Sequence, residues 1–341
     1  MKKSLMTLGV LALFVLMAYG QEKKFALYSV AFYNMENLFD TIHDEGKNDY
    51  EYLPNGTNQW NTMKYKAKLK NMSEILSLLS TDKLPMGPAI IGVSEIENYR
   101  VLEDILKQPA LADRGYQYVH YEGEDQRGVD CAFFYNPKLF ELTNSKLVPY
   151  VYINDTIHKT RGFLIASGNI AGEKMHFIVN HWPSRAAASP ARERAGGQVR
   201  AIKDSLLKED SAAKIVIMGD MNDDPMDKSM AVALGAKRKP ADVGPTDLYN
   251  PWWDTLKKGY GTLMYKGKWN LFDQIVFTGN LLGTDRSTLK FYKHEIFRRD
   301  FMFQKEGKYK GYPKRTQAGG VWLNGYSDHL PTIIYLIKEV K

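Results

Sequence analysis

Short apolar runs, rich in β-branched and aromatic residues, recur along the whole 341-residue chain. Each run is bounded by glycine, proline, asparagine or aspartate, which is typical of β-strands. The clearest runs are residues 25–33, 89–93, 129–135, 162–166, 175–179, 214–218, 272–277 and 332–337. Because so many strands alternate with other segments, the pattern favours an α/β protein built on large sheets.

Helical spacing occupies some of the connections between these runs. Apolar residues recur at intervals of three or four at Tyr65, Leu69, Met72, Leu76 and Leu79. A second helix is expected to start with Ser189 as the N-cap and Pro190 in its first turn. No repeat or low-complexity linker interrupts residues 21–341, so we expect them to form one domain.

Residues 1–20 have the three parts of a secretory signal peptide. A basic start at residues 2–3 is followed by an apolar stretch at residues 5–17 and a small-residue exit at residues 18–20. Charged residues resume at Glu22, so the stretch is too short to cross a membrane. We therefore expect cleavage and export to the bacterial periplasm or beyond, with no stable membrane insertion afterwards.

The single cysteine excludes two classes of stabilising site. One thiol cannot form an intrachain disulfide, nor can it build a cysteine zinc centre. Cys131 lies inside the apolar run at residues 129–135, so we expect it to be buried and inert.

Basic residues are concentrated near the carboxyl end. Residues 290–315 contain nine lysines and arginines, only three acids, and seven aromatic residues. Such a mixture can follow a polyanion while its rings stack on the bases. A solvated face of ordinary composition would look the same. Composition alone therefore leaves both interpretations open.

Polar residues suited to metal and phosphate chemistry lie at the ends of the predicted strands. They are Asn34, Glu36, Glu95, Asn180, His181, Asp220, Asn222, Asp328 and His329. The carboxyl ends of neighbouring strands meet at one rim of a sheet, so we expect these side chains to converge. Oxygen ligands without a thiolate suit Mg²⁺, with Mn²⁺ and Ca²⁺ as alternatives. Imidazoles beside such an ion favour a phosphate ester as the substrate.

The order of these residues resembles that in the endonuclease/exonuclease/phosphatase superfamily. The motifs that carry the resemblance are YNMENLFD (33–40), VSEIEN (93–98), NHWPSR (180–185), MGDMNDDP (218–225), FDQIVF (272–277) and YSDHLP (326–331). The resemblance implies a four-layer α/β/β/α sandwich of two packed mixed sheets flanked by helices. It also implies divalent-metal-dependent hydrolysis of a phosphoester.

The resemblance assigns a role to each matched residue. It implies metal binding by Glu95, with Asn34, Glu36 and Asp328 completing or orienting the metal shell. It implies catalytic roles for Asp220, which aligns the attacking water, for Asn222 and His181, which contact the phosphate, and for His329, which pairs with Asp273. Arg185, four residues beyond His181, is expected to bind substrate together with Asn180.

Three functions remain open from the sequence. A monomeric, secreted nuclease is the first, because the basic segment 290–315 directly precedes the SDH motif. The second is a phosphodiesterase or phosphatase acting on a lipid or a small organic phosphate. For a lipid enzyme, Trp252 and Trp253 are the candidate membrane-inserting pair. The third is a non-catalytic protein that binds phosphate or nucleic acid.

Overall fold

The computed structural model describes residues 23–153, 155 and 157–340. The predicted signal peptide at residues 1–20 therefore lies outside the described residues. No helix among the described residues is both long and apolar enough to cross a membrane.

Strands dominate the described residues, and four α-helices accompany them. The strands are β1 (Lys24–Leu38), β2 (Ile90–Ile96), β3 (Gln117–His120), β4 (Asp130–Tyr135), β5 (Glu141–Val148), β6 (Phe163–Ile170), β7 (Glu173–His181), β8 (Lys214–Asp220), β9 (Ala236–Lys237), β10 (Leu248–Tyr249), β11 (Leu263–Tyr265), β12 (Lys268–Asn270), β13 (Asp273–Thr278), β14 (Lys290–Ile296), β15 (Gln317–Ala318), β16 (Val321–Trp322) and β17 (Thr332–Val340). The helices are α1 (Thr62–Leu78), α2 (Tyr99–Leu106), α3 (Ser189–Glu209) and α4 (Trp253–Lys257).

Two large mixed sheets form the centre of the fold. The first has the order β14-β17-β1-β2-β4-β3, and the second has the order β5-β6-β7-β8-β13-β10-β9. A parallel pair lies at the middle of each sheet, β1 with β2 and β7 with β8, and the short strands β9 and β10 form a further parallel pair at the edge of the second sheet. The two central pairs end at the same rim of the molecule, where the functional residues lie.

Both faces of each central strand are buried, which explains the continuous apolar runs. In β1, Val30 and Phe32 enter the core between the two sheets, whereas Ala31 and Tyr33 enter a second core beneath α1 and α2. The second sheet is sandwiched in the same way, with α3 on its outer face. The layers are therefore helix, sheet, sheet and helix, and the predicted four-layer sandwich is confirmed.

The predicted helices are present, with one correction. The spacing from Tyr65 to Leu79 corresponds to α1. The third helix starts at Ser189 itself, with Ala188 as N-cap, so the predicted capping role of Ser189 is wrong. Its hydroxyl instead donates to the carboxylate of Glu193 within the helix.

Two further side chains lie in the core. Cys131 is buried, as predicted. Trp252 is fully buried and donates through its indole N–H to the carbonyl of Ile275. It therefore offers no surface for membrane insertion.

Candidate active site

The two central parallel strand pairs bring four of the predicted residues together. Asn34 lies in β1 just before the register shift, and Glu95 lies in the neighbouring strand β2. In the second sheet His181 is paired with Asp220 at the ends of β7 and β8. The preceding residue, Gly219, allows this pairing, because a Cβ there would lie 2.3 Å from the carbonyl oxygen of Asn180.

Asp220 is the centre of the arrangement. Its Oδ2 atom lies 3.0 Å from Asn34 Nδ2 and 3.8 Å from the Nε2 atoms of both His181 and His329. Its Oδ1 atom accepts a hydrogen bond from the backbone N–H of Asn222 at 2.9 Å. Burial, together with the nearby acids, raises the pKa of Asp220 to about 7, although His329 opposes the shift. A carboxyl with this pKa is suited to proton transfer near neutral pH.

His329 forms a buried pair with Asp273. Its Nδ1 atom lies 2.7 Å from Asp273 Oδ2, and the Asp273 side chain is fully buried. Burial opposes protonation, but the charges of Asp273 and Asp220 hold the pKa of His329 well above its ordinary value. Ser327 fixes the turn, since its hydroxyl donates to the carbonyl of Asn34 and accepts from the N–H of His329. The Nε2 atom of His329 therefore faces the cleft, and the neighbouring acids favour the charged form of the ring.

His181 has the opposite electrostatic character. Its Nε2 atom lies 3.6 Å from Glu95 Oε1, and its buried Nδ1 atom has no hydrogen-bond partner among the described residues. Burial and the cations Arg161 and Arg127 hold the pKa of His181 well below its ordinary value. Two imidazoles whose pKa values are shifted in opposite directions thus face the same carboxylate, which is a typical division between acid and base.

The donor set at this rim fits a divalent cation. Glu95, His181 and Asp220 can each offer one ligand atom, and these atoms lie within 4.8 Å of one another. The backbone N–H of Asn37 orients Glu95 by donating to Oε2 at 3.0 Å, which leaves Oε1 open toward the cleft. Carboxylate oxygens with one imidazole suit Mg²⁺ or Mn²⁺ better than a soft metal.

Glu36 and Asp328 lie close by, but both carboxylates form ion pairs with Arg315. Arg315 donates to Glu36 Oε1 at 2.8 Å and to Asp328 Oδ2 at 2.9 Å, and the N–H of Thr316 donates to Glu36 Oε2. Burial and the charge of Asp328 raise the pKa of Glu36 to about 7. Both carboxylate oxygens of Glu36 are therefore engaged away from the open oxygen of Glu95.

Two predicted contact residues, Asn180 and Asn222, have side chains that are already hydrogen-bonded within the protein. Asn180 is fully buried, and its Nδ2 atom donates to the carbonyls of Ile178 and Met218. Asn222 lines the cleft, although its Nδ2 atom donates to the carbonyl of Trp182 at 3.1 Å.

Arg185 is not among the residues that line the cleft. Its guanidinium contacts Asp224 at 3.1 Å and Asp227 at 2.9 Å, and it stacks over the ring of Phe272. Arg185 therefore lies outside the cleft that other predicted residues line.

Three other residues line the cleft that sequence reasoning missed. The cleft has a volume of about 320 Å³ and includes Arg161, Arg127 and Ser184. Arg161 is buried and donates to Asp125 at 2.9 Å and to the carbonyl of Trp182, while its Nε–H finds no partner within the part of the chain that the structure describes. It precedes β6, which is antiparallel to β7, so the amino end of β6 lies at this rim. Arg161 was not predicted, because site residues were expected only at the carboxyl ends of strands.

A family model supplies the identification. It describes the endonuclease/exonuclease/phosphatase family and matches residues 29–338. The chain belongs to this family. This match confirms the family resemblance that the motifs predicted. Members of the family are metal-dependent phosphoester hydrolases. None of the curated protein sequences matches the chain.

Solved structures similar to this family member share its fold. An endonuclease/exonuclease/phosphatase family protein from Bacteroides thetaiotaomicron has a TM-score of 0.58 at 15% identity, covering 93% of this chain and 97% of its own. A mannosyl-6-phosphatase from the same organism has a TM-score of 0.56 at 14% identity, covering 91% and 99%. TDP2 from D. rerio, in complex with a single-stranded DNA product, has a TM-score of 0.53 at 15% identity, covering 91% and 99%. At these identities the similarity describes the fold.

Proposed function

We propose that this protein is an exported, divalent-metal-dependent phosphodiesterase that hydrolyses nucleic acid. The observation that carries the chemistry is the convergence of the His329–Asp273 pair, His181 and Glu95 on Asp220. Structural histidines are common singly, but two imidazoles whose pKa values are shifted in opposite directions around one buried carboxylate are typical of catalytic sites.

The side chains divide the work of hydrolysis. Ionised Asp220 orients a water molecule and accepts its proton, while the His329 imidazolium stabilises negative charge that develops on the phosphoryl oxygens. Neutral His181 and the charged Arg161 hold the other phosphate oxygens. Glu95, whose Oε1 atom is open toward the cleft, would hold the metal. When bound, that ion supplies positive charge that neutralises the phosphoryl group.

The surface beside the cleft supports a polyanionic substrate. Among the described residues, seven cations of the β11–β12 hairpin and of residues 298–314 have no carboxylate within 4.0 Å. They are Lys266, Lys268, Arg298, Lys305, Lys308, Lys310 and Lys314. Unpaired cations in such number attract a nucleic-acid backbone. Export places such an enzyme where it would degrade extracellular nucleic acid.

A second candidate substrate is a small phosphorylated sugar. A polar pocket of about 220 Å³ lies on the other side of Glu36 and includes Asn37, Tyr52, Asn58 and Arg315. Carboxylate and amide groups around an aromatic ring are able to bind a hydroxyl-rich leaving group. The similar mannosyl-6-phosphatase fold is consistent with this alternative.

A substrate panel tests the proposal. Purified protein is assayed on single-stranded DNA, RNA, bis(p-nitrophenyl) phosphate and mannose 6-phosphate, with Mg²⁺ or Mn²⁺ and with EDTA. We expect metal-dependent cleavage of nucleic acid, and about 10²- to 10⁴-fold lower kcat in Asp220→Asn and His329→Ala with unchanged circular dichroism. Turnover of the sugar phosphate alone would reject nucleic acid as the substrate. Unaltered turnover in both variants would reject the assigned site.

A further inference from the structure

Arg298 lies in an unusual environment at the end of β14. Its guanidinium carbon is 4.9 Å from the ring centroids of Trp269 and Phe303 and 5.6 Å from that of Tyr260. We call these three rings and the arginine the Arg298 cage. The buried Nη1 atom of Arg298 has no hydrogen-bond partner among the described residues.

The cage opens into a basic pocket. This pocket, of about 380 Å³, is also lined by Arg299, Lys305 and Lys310, and Asp300 is the single acid among its lining residues. Burial lowers the pKa of Arg298 from its ordinary value. Because the guanidinium is partly desolvated without a carboxylate to compensate it, a bound anion would stabilise its charge.

Backbone hydrogen bonds hold the pocket in place. The N–H of Gln304 donates to the carbonyl of Tyr312, and the N–H of Lys314 donates to the carbonyl of Met302. The hydroxyl of Tyr312 accepts from the N–H of Gly267, which ties the loop to the β11–β12 hairpin. These hydrogen bonds fix the loop that carries Lys305 and Lys310, so both lysines line one side of the pocket.

The basic pocket lies near the cleft but outside it. The N–H of Phe297, the neighbour of Arg298, donates to the carbonyl of Pro331, two residues after His329. Chain geometry then limits the distance between the α-carbons of Arg298 and His329 to about 18 Å. A phosphodiester chain bound at His329 would reach the pocket within a few nucleotides.

Exposed aromatic rings accompany the cations on this surface. Tyr265 and Tyr309 are 63% and 53% exposed, and Lys266 and Lys308 lie over their respective rings. Exposed rings between unpaired cations are typical of proteins that bind single strands, because every base can stack.

We propose that the basic pocket at the Arg298 cage binds a backbone phosphate of a single-stranded nucleic acid, a few nucleotides from the scissile bond. This inference rests on the proposed function and deepens it by locating a second phosphate subsite. It predicts that the enzyme prefers long strands to short ones. Monomeric phosphodiesters cannot reach both positions, so the pocket does not affect the kcat/KM of their hydrolysis.

The test compares two pairs of exposed lysines. Lys305→Ala/Lys310→Ala removes two cations from the pocket. The control Lys174→Ala/Lys208→Ala removes the same charge from two exposed lysines, distant in sequence from the pocket, that form no ion pair with any described residue. For a single strand of about 16 nucleotides, we expect the pocket variant to raise KM about fivefold or more. Its slope of log KM against log salt should flatten by about 1.4, since each contact contributes about 0.7. Its kcat/KM on bis(p-nitrophenyl) phosphate should match that of the unmodified protein.

Binding in EDTA separates this inference from the proposed function. If the protein cleaves no nucleic acid, fluorescence anisotropy with the same strand still measures the pocket. Weaker binding in the pocket variant alone would support the subsite even then. Equal losses in both double variants, or no loss in either, would overturn it. Binding of anionic lipid vesicles that depends on Lys305 and Lys310, with strand affinity unchanged, would also overturn it and assign the surface to membranes.

Discussion

Arg161 and Arg185 have the same charge but different electrostatic surroundings. Arg185 contacts Asp224 and Asp227 and lies outside the cleft, whereas Arg161 contacts Asp125, lines the cleft and keeps an Nε–H that has no partner among the described residues. Proximity in sequence to His181 favoured Arg185. The three-dimensional positions favour Arg161 as the arginine that meets the substrate.

Substitution by lysine distinguishes the two arginines. Lysine keeps the charge but loses the fork of N–H donors that binds a phosphate. We expect Arg161→Lys to lower kcat/KM by about 10- to 100-fold, and Arg185→Lys to change it by less than about threefold. The measurement is steady-state turnover of a nucleic-acid substrate, with thermal melting as the folding check. A larger loss of kcat/KM in Arg185→Lys than in Arg161→Lys would instead assign substrate binding to Arg185.

At the scale of strands, the ends of β1 and β2 depart from regular geometry at the site. Glu36, Asn37 and Glu95 have positive φ angles of 47°, 55° and 59°, and Asn222 at the end of β8 has 50°. The register of β1 against β2 shifts between Asn34 and Leu38. Non-glycine residues rarely adopt this conformation, and when they do they cluster at functional sites. The irregularity turns the N–H of Asn37 toward the carboxylate of Glu95.

Asn37 offers a test of this backbone conformation. Asn37→Gly keeps the N–H and adopts positive φ readily, so we expect a change in unfolding free energy below about 1 kcal/mol. Asn37→Val must adopt the same φ with a branched side chain, and we expect it to destabilise by about 1–2 kcal/mol. Urea unfolding with both variants gives the two values. Equal effects of glycine and valine would show that the φ angle does not matter.

The strands could be predicted because their apolar runs reflect burial on both faces. The motif order likewise predicted the convergence of Glu95, His181, Asp220 and His329, which the structure brings together. The pairing of Glu36 with Arg315 could not be predicted, since it joins residues 279 positions apart through tertiary packing. The roles assigned to the site residues remain predictions until turnover is measured.

The basic segment at residues 290–315 also divides in three dimensions. Lys290 lies on β14 and donates to the carbonyl of Asn280, and Lys293 lies over the ring of Tyr335. The cations from Arg298 onward form the surface beside the cleft. The composition alone gave no reason to divide the segment. In the fold, its charges lie partly on β14 and partly on the loop that follows, at different positions on the surface.

At the scale of the whole molecule, the buried carboxyl groups of the site make the stability of the fold depend on pH. Burial raises the pKa values of Asp220 and Glu36 to about 7, from ordinary values near 4. The folded protein therefore binds more protons than the unfolded chain between about pH 4 and pH 7. The stability that these groups contribute is present below that window and is lost as the pH rises through it.

Metal binding should offset this loss. We expect the melting temperature of EDTA-treated protein to fall between about pH 5 and pH 8. We also expect Mg²⁺ or Mn²⁺ to raise it more at the upper pH, because the ligands are then ionised. Differential scanning fluorimetry measures both effects, and Asp220→Asn, which lacks one titrating group, should show a weaker dependence. A metal-induced shift of equal size at both pH values would contradict this account.

The pairing of β1 with β17 has a consequence for the timing of activity. Lys24 is paired with Val340, and the hydroxyl of Ser327 bonds to the carbonyl of Asn34 across 293 positions. Because a ribosome makes the amino end first, Asn34 acquires these neighbours only after the final strand has been synthesised. An unfinished polypeptide lacks both the SDH turn and the strand that supports it. The site is thus assembled only after the last strand has been made and has paired with β1.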